Sequence, residues 1–379
     1  MPGKTLRSVF YLWLVFLGVL ILVGALAYLR QIDGGLRVTG LSRNLPWGFY
    51  IAQFSFLLGL AVAVVMLAPP ALSLKSGAGF RKTIMLGEFM SIGAVFAVLL
   101  FILADLGQPQ RLLNMLLHPS PASPLFWDMT ALACCLVFNL SAAWIMLDCE
   151  RQGATAPVRV KQLVRLSLAS VVGCYGLAGC LYAILPGHSF LGTAFAGARF
   201  LAAALCSGPA LLLLALLLLR RIGSFRPDPE AVRILVKIIL WAAVIHLFIY
   251  GLEFISVLNG MLPQHSHPLL ACIFLTGKNA AAGIVVSLAA ALGLLGCLAF
   301  LFVVLSRVRN SDASLSFALC CLLCYIWFDS NSGFFYGVDA FGGMNTYAPS
   351  LSEICVGLGV YGCGALLVTL FWRAALKGD

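Results

Sequence analysis

The sequence predicts an all-α polytopic membrane protein with about ten transmembrane helices. Apolar residues make up 62% of the 379 residues and charged residues only 10%, whereas a soluble domain carries about 25% charged residues. Ten apolar segments follow one another along the chain, and lysine and arginine are concentrated in every second connection. These three observations indicate a chain whose main solvent is the lipid bilayer.

The ten segments are predicted to be helices because a helix needs about 20 apolar residues to cross the hydrocarbon layer. The first segment has no small-residue cleavage site after it, so we expect it to stay in the protein. The apolar stretch 268–277 is too short to span, which favours a re-entrant or interfacial segment. The predicted helices are 8–29, 47–68, 83–104, 125–147, 164–185, 195–219, 232–258, 280–306, 314–330 and 351–372.

The distribution of basic residues predicts the orientation of the chain. The two termini and the connections after helices 2, 4, 6 and 8 hold eighteen of the 24 lysines and arginines, and the other connections hold six. Because basic loops stay in the cytoplasm, both termini are predicted to be cytoplasmic and the segment 105–128 periplasmic, in a bacterial inner membrane. The net charge of +10 is therefore interpreted as a topology signal, and no nucleic-acid partner is expected.

Thirteen cysteines raise the question of a redox or metal centre. Nearly all of them lie in apolar segments, where cysteine packs as a small, soft side chain. Cys321 and Cys324 form a C-x-x-C pair inside a predicted helix, but the chain has no C-x-x-C-H for haem and no iron–sulfur spacing. We expect neither haem, iron–sulfur cluster nor metal in this chain.

Helix 7 carries a stripe of polar residues within the predicted bilayer. His246, Tyr250 and Glu253 are spaced four and three residues apart, which places them on one helical face. Because ionisable groups inside a membrane are costly, each needs a partner or a role. The stripe predicts either a proton path or a satisfied polar patch, and periodicity alone leaves both open.

Glu88 is a second ionisable residue within a predicted span. It lies about 8 Å into helix 3 from the cytoplasmic side, at 1.5 Å per residue. Glu88 is predicted to open a cytoplasmic proton entrance, or else to pair with Arg81 or Lys82. Glu353, close to the periplasmic end of helix 10, is interpreted as structural.

The predicted periplasmic end combines aromatic and polar residues. Trp47, Tyr50 and Gln53 belong to the stretch "LPWGFYIAQF" that opens helix 2. Aromatic faces with a few polar groups suit an apolar ring ligand that has carbonyl oxygens. Asp105 and Asp128 border the proline-rich loop between helices 3 and 4, although Asp128 is equally suited to the dipole at its helix start.

Two of these stretches carry a family resemblance. They are "TGLSRNLPWGFYIAQFSFLLG", at 39–59, and "DLGQPQRLLNMLLHPSPASPLFWDM", at 105–129. The elements D-L-G-x-P-x-R and H-P-x-P-x-S-x-x-x-W-D within the second stretch are specific. The chain resembles the NrfD/PsrC family of quinone-reactive membrane subunits of bacterial respiratory complexes, and among them the ten-helix members DsrP and HmcC.

The resemblance implies a fold and a ligand. Family members bind menaquinone or another quinone near the periplasmic face and hold no redox cofactor of their own. The implied fold is a single integral membrane domain, 1–379, with four-helix bundles at 47–185 and 195–330 and flanking helices 8–29 and 351–372. The implied quinone-binding residues are Trp47, Tyr50, Gln53, Asp105, Arg111 and Asp128.

The resemblance also implies partners and a function. A periplasmic ferredoxin-like iron–sulfur subunit docks on such chains, and a multihaem cytochrome c and further membrane subunits are expected beside it. The chain would exchange electrons between the menaquinone pool and these partners, and some relatives are thought to couple this to proton movement. A membrane anchor without quinone chemistry and a secondary transporter are the alternatives, although we find no inverted repeat.

The predicted orientation can be tested with a fusion. A reporter enzyme that is active only in the periplasm, fused after Asp379, is expected to be inactive because the charge bias places this terminus in the cytoplasm. The same reporter inserted after Gln108 is expected to be active. Activity in the first fusion and none in the second would reverse the orientation.

Overall fold

The all-α fold is confirmed. The computed structural model describes residues 2–42, 47–73, 78–111, 117–118, 120–152, 158–183, 195–223, 225–262, 267–270, 273, 280–306, 311–338 and 344–376. In these ranges the chain forms ten α-helices of at least 24 residues. They are α1 Pro2–Gly34, α2 Phe49–Ser73, α3 Ala78–Asp105, α4 Pro124–Arg151, α5 Val158–Ala183, α6 Ala196–Ile222, α7 Pro229–Leu258, α8 Ala280–Leu305, α9 Asp312–Phe335 and α10 Leu351–Leu376.

Short elements join some of these helices. Among the described residues, three 3₁₀ turns lie at Gly35–Val38, Pro109–Arg111 and Pro268–Leu270. The strands β1, Tyr336–Val338, and β2, Met344–Thr346, form an antiparallel pair between α9 and α10. Most of the predicted re-entrant segment 268–277 lies outside the described residues.

The helices have the length and composition of membrane spans. Within the described residues, eight of them (α1, α3, α4 and α6 to α10) are long and apolar enough to cross a bilayer, and α2 contributes a shorter apolar stretch, Phe49–Ala63. A helix satisfies its backbone polar groups internally, as the hydrocarbon layer requires. With this length and composition, the helices make the chain a multi-pass membrane protein.

The helix boundaries follow local chemistry. α7 starts after Asp228, whose carboxylate accepts the backbone N–H of Glu230 at 2.9 Å, and Pro229 occupies the first helical position. α9 is longer than the predicted 314–330 and continues to Phe335. The added turn is polar, but its side chains at 330–332 are buried against other helices, so hydropathy underestimates its length.

The helices pack as two closed groups of four. α2, α3, α4 and α5 form a ring in which each helix contacts the next, and we call it the first bundle. α6, α7, α8 and α9 form the second bundle in the same way, and α2 contacts α6 and α9 between the two. α10 packs on α1 and α3 beside the first bundle. The domain ranges proposed from the sequence stay a prediction.

Neighbouring helices alternate in direction, which gives the structure two ends. The starts of the even-numbered helices and the ends of the odd-numbered helices lie at one end, which we call the upper end. Hydrogen bonds between these segments agree with this arrangement: Gln31 near the end of α1 donates to the carbonyl of Ala104 near the end of α3, at 2.8 Å.

Glycine pairs allow α10 to approach its two neighbours closely. A Cβ atom on Gly24 of α1 would lie 2.5 Å from the Cα atom of Gly359. A Cβ atom on Gly364 would lie 2.9 Å from the carbonyl oxygen of Gly93 in α3. Small residues at such crossings bring backbones into direct contact, which is the main source of packing energy between helices in lipid.

This packing predicts that one added methyl group at a glycine crossing lowers the stability of the protein. Gly24→Ala is expected to lower the free energy of unfolding in detergent by about 1–3 kcal/mol, because the added group overlaps backbone atoms. Gly18→Ala on the same helix is the matched control, since a Cβ atom there has nothing within 4 Å. Equal thermal unfolding temperatures for the two variants would contradict the close contact.

Candidate functional site

The predicted quinone-binding residues lie at the upper end of the first bundle. Tyr50 and Gln53 are buried in the first turns of α2, and Trp47 precedes this helix and is half-buried. Asp105 is the last residue of α3, and Asp128 lies in the second turn of α4 with 2% of its surface exposed. The structure therefore brings these five residues to one end of the bundle.

Arg111 is the sixth predicted residue. Its backbone belongs to the 3₁₀ turn Pro109–Arg111 that follows α3. Its side chain lies outside the part of the chain that the structure describes, so its place in the quinone-binding set stays a prediction.

Tyr50 is tied to α1. Its hydroxyl donates a hydrogen bond to the Oε1 atom of Gln31 at 2.6 Å, and Gln31 in turn holds the end of α3. The ring of Tyr50 lies 6.3 Å from the ring of Phe101. Since the only hydroxyl proton of Tyr50 is engaged, a ligand carbonyl would have to displace Gln31 to receive it.

Gln53 joins three helices. Its Oε1 atom accepts hydrogen bonds from the indole N–H of Trp327 at 2.9 Å and from the hydroxyl of Tyr361 at 2.7 Å. Its Nε2 atom donates to Asn331 at 2.9 Å. Trp327 and Asn331 belong to α9 and Tyr361 to α10, so Gln53 fixes the junction between the two bundles and α10.

Two carboxyl groups at the upper end each have one oxygen without a hydrogen-bond partner in the described part of the chain. They are Asp105 and Asp128, and the Oδ1 atom of each is buried. Buried polar atoms in native proteins are almost always paired with protein, water or ligand. Within the described residues, these two atoms are therefore the places in the predicted site where a further hydrogen-bond partner is most needed.

Hydrogen bonds to Glu353, at the start of α10, connect the loops of the upper end. Glu353 accepts the backbone N–H groups of Gly40 and Ser350 at 2.8 Å each, and also the hydroxyl of Tyr347. The Tyr347 oxygen accepts the N–H of Phe49 at 3.0 Å. Burial and the adjacent Glu353 carboxylate raise the pKa of Tyr347 above its usual range. Ser350 and Glu353 form a capping box, in agreement with the structural interpretation of Glu353.

The upper end of the second bundle contains a buried ion cluster. Arg199 of α6, 1% exposed, lies 2.5 Å from the Glu253 carboxylate of α7 through its Nη1 atom. The Nε atom of Arg199 lies 3.7 Å from the Asp329 carboxylate of α9. His246 of α7 completes the cluster, with its Nε2 atom 3.2 Å from the same Asp329 oxygen. Two carboxylates thus lie beside one guanidinium, and the imidazole contacts one of these carboxylates.

Aromatic rings surround the ion cluster. Tyr250 lies 4.5 Å from the ring of His267, and Tyr325 lies 5.5 Å from the ring of His246. Burial and the positive charge of Arg199 lower the pKa of His267 to about 4, so this imidazole is neutral at neutral pH. His246, Tyr250 and Glu253 all lie on the buried face of α7, as their spacing predicts.

Glu88 lies apart from this cluster. It is 1% exposed in α3 of the first bundle, and neither carboxylate oxygen has a hydrogen-bond partner in the described residues. Arg81 and Lys82 contact Glu150 at 3.8 and 3.9 Å, which leaves the predicted alternative of a pair with Glu88 without support. The four residues predicted as one proton path are therefore divided between two bundles.

Several residues of these networks were not predicted, among them Gln31, Tyr347 and Tyr361. Arg199 was counted among the basic residues of the connections, and Trp327, Asp329 and Asn331 lie at the end of the predicted helix 314–330 or just beyond it. The available signal was the run "DSNS", at 329–332, next to a long apolar stretch. Polar residues at such a position usually face other helices instead of lipid.

The buried ion cluster predicts that two arginines of α6 contribute very differently to the free energy of unfolding. Arg199→Met is expected to lower the free energy of unfolding in detergent by about 3–5 kcal/mol, because two buried carboxylates lose their counter-ion. Arg220→Met is the matched control: Arg220 contacts Asp312 at 3.4 Å, but both side chains are more than half exposed. Its effect is expected to stay within about 1 kcal/mol. Equal losses in a denaturant titration would contradict the cluster.

The sequence of this chain matches a known protein family and several known proteins. The family described as polysulphide reductase, NrfD, matches residues 37–328. A candidate membrane subunit of dimethyl sulfoxide reductase from Halobacterium salinarum is 26% identical over 57% of this chain and 53% of its own length. A selenate reductase subunit from Mesobacillus selenatarsenatis is 22% identical over 53% of this chain and 55% of its own length.

A third relative comes from an archaeon. The Hdr-like menaquinol oxidoreductase integral membrane subunit of Archaeoglobus fulgidus is 21% identical over 70% of this chain and 65% of its own length. The chain thus spans between about half and two thirds of the length of these relatives. Since the family match covers most of the chain, from the loop before α2 to α9, the protein belongs to the polysulphide reductase NrfD family.

Proposed function

We propose that this protein is a quinone-binding membrane subunit of a respiratory redox complex. It exchanges electrons between the menaquinone pool and a partner protein. The observation that carries the proposal is the pair of buried carboxyl oxygens, one of Asp105 and one of Asp128, that have no hydrogen-bond partner among the described residues. The name of the menaquinol oxidoreductase relative supports menaquinone chemistry, and the name of the selenate reductase relative supports a redox complex.

The side chains at this end suit a quinone. A quinone has two apolar ring faces and two carbonyl oxygens, and its reduction consumes two electrons and two protons. Trp47, Tyr50 and Phe101 supply aromatic surface, and protonated Asp105 and Asp128 can donate to carbonyl oxygens. The same carboxyl groups can exchange protons at the site. Arg111 and Gln53 complete the proposed set, Gln53 by holding α2 in position.

In this proposal, partner subunits carry the electrons to or from the quinone. We propose a periplasmic ferredoxin-like iron–sulfur protein docked on the upper end, with a multihaem cytochrome c and further membrane subunits beyond it. The loops tied together by Glu353, Tyr347 and Ser350 supply an ordered surface for such docking. The lower end, where α1 begins and α10 ends, would face the cytoplasm of a bacterial inner membrane, in agreement with the charge bias. DsrP and HmcC are the proposed counterparts.

The ion cluster of the second bundle is proposed to take part in proton coupling. His246 and Glu253 are ionisable, Tyr250 lies between them on α7, and Arg199 and Asp329 fix their positions. A buried cluster of this kind changes its net charge when a single proton arrives. Glu88 is proposed as the entry point of protons from the cytoplasmic side.

A quinone titration tests the proposed function. In the purified complex, Asp128→Ala is expected to weaken the affinity for a menaquinone analogue about fivefold to tenfold, because the substitution removes one hydrogen bond to the ligand, which contributes about 1 kcal/mol. Asp148→Ala is the matched control on the same helix: Asp148 is exposed at the lower end, where it accepts a hydrogen bond from Gln152 at 2.9 Å. Quenching of tryptophan fluorescence measures both affinities.

The same titration distinguishes the alternative of a membrane anchor. An anchor would show no saturable quinone binding in the unmodified complex. Unchanged affinity in Asp128→Ala and also in Asp105→Ala would place the quinone elsewhere. Each variant is first checked for normal assembly with its partner subunits.

A further inference from the structure

Two side chains of α1 cap the end of α3. The amide nitrogen of Gln31 donates to the carbonyl oxygen of Ala104 at 2.8 Å. The hydroxyl of Tyr28 donates to the carbonyl oxygen of Leu103 at 3.3 Å. Both carbonyls belong to the last turn of α3, where a helix has no partners of its own for its carbonyl groups. The capped carbonyls directly precede Asp105, so this contact between α1 and α3 belongs to the proposed quinone site.

The Ala104 carbonyl also fixes the direction of a second hydrogen bond. A carbonyl oxygen only accepts, so the amide of Gln31 turns its nitrogen to Ala104 and its oxygen to Tyr50. The Gln31 oxygen likewise only accepts, and the Tyr50 hydroxyl is therefore the donor in the 2.6 Å bond between them. Tyr50 thus gives its one proton to Gln31, and within the described part of the chain no donor is bonded to the Tyr50 oxygen.

The two redox forms of a quinone make opposite demands on such a pair. The oxygens of a quinone are carbonyls that only accept hydrogen bonds, whereas those of the quinol are hydroxyls that can also donate. A quinol hydroxyl can donate to the Tyr50 oxygen while the bond between Tyr50 and Gln31 stays intact. A quinone carbonyl needs the Tyr50 proton, and taking it leaves the buried Gln31 oxygen without a donor, which is unfavourable.

We propose that Gln31 is a specificity-determining residue: by holding the Tyr50 proton, it makes the site bind the quinol more tightly than the quinone. This inference rests on the proposed function, because Tyr50 belongs to the proposed quinone site. Gln31 is fully buried, and it cannot relax by turning its amide, since the carbonyl of Ala104 would then lose its donor.

The other buried amide of the proposed site, Gln53, does not take this role. Both lone pairs of its Oε1 atom accept, one from the indole of Trp327 and one from the hydroxyl of Tyr361. A purely structural role also explains less of Gln31, because capping α3 uses only its amide nitrogen. Its oxygen is bonded to Tyr50, and the direction of that bond decides which form of the ligand the hydroxyl can meet.

The experiment uses the complete complex, purified with its partner subunits and kept oxidised so that no electrons reach the ligand. Two probes with the same ring system take the two roles. The oxygens of menadione only accept, whereas the hydroxyl of 2-methyl-1-naphthol donates, and electron transfer alone does not convert this probe to a quinone. Quenching of tryptophan fluorescence measures both dissociation constants.

Gln31→Met keeps the length of the side chain and removes the acceptor that holds the Tyr50 proton. It is expected to tighten the binding of menadione about fivefold to tenfold, the contribution of one hydrogen bond. The binding of 2-methyl-1-naphthol is expected to stay unchanged, because the Tyr50 oxygen still accepts. Tyr28→Phe is the matched control: it removes the other hydrogen bond between α1 and α3 and is expected to leave the ratio of the two constants unchanged.

Tyr50→Phe tests the same pair from its other side. It is expected to weaken the binding of 2-methyl-1-naphthol about fivefold to tenfold, because the accepting oxygen is lost. Adding Gln31→Met to Tyr50→Phe is expected to change neither constant further, since no hydroxyl proton remains to be released.

Each contrary outcome has a definite meaning. In Gln31→Met, no change or equal changes in both constants would overturn the inference alone, and so would a shifted ratio in Tyr28→Phe, because the effect would then come from packing. If Gln31→Met does not assemble, Tyr50→Phe decides, and an unchanged constant for 2-methyl-1-naphthol would overturn the inference. Binding of menadione alone to the unmodified complex would do the same. Binding of neither probe would overturn the proposed function and this inference with it.

Discussion

A guanidinium that is 1% exposed cannot remain charged inside a membrane protein unless carboxylates of neighbouring helices surround it. Arg199 satisfies this constraint with Glu253 and Asp329, and it thereby fixes the upper ends of α6, α7 and α9 relative to one another. Lipid offers no hydrophobic driving force between helices. The ion cluster is therefore the interaction on which the geometry of the second bundle depends.

α9 transmits this constraint to the first bundle. Asp329 faces Arg199 and His246, while Trp327 and Asn331, two residues to either side, face Gln53 of α2. One helical turn thus contacts the ion cluster on one side and the proposed quinone site on the other. A change in the charge of the cluster would act on α9 and, through it, on the position of α2.

The sequence predicted the ten helices because length and hydropathy are local properties. It also predicted the buried face of α7, since a spacing of four and three residues is enough to define a face. It did not predict which polar groups meet. Gln53 finds its partners 274, 278 and 308 residues away, and no local pattern records such a pairing. Asp329 was missed because the polar turn around it lowers the hydropathy of a helix that is nevertheless buried.

The first and last helices of the chain are each other's main partners. Trp13 of α1 donates to Thr369 of α10 at 3.0 Å, across 356 residues of sequence, and Arg373 lies 4.3 Å above the ring of Phe10. At about 5–20 residues per second, the ribosome needs tens of seconds to reach α10 after α1 has entered the membrane. During that interval the face of α1 that holds Gly24 lacks its partner Gly359, so the packing of α1 is completed only when α10 has been synthesised.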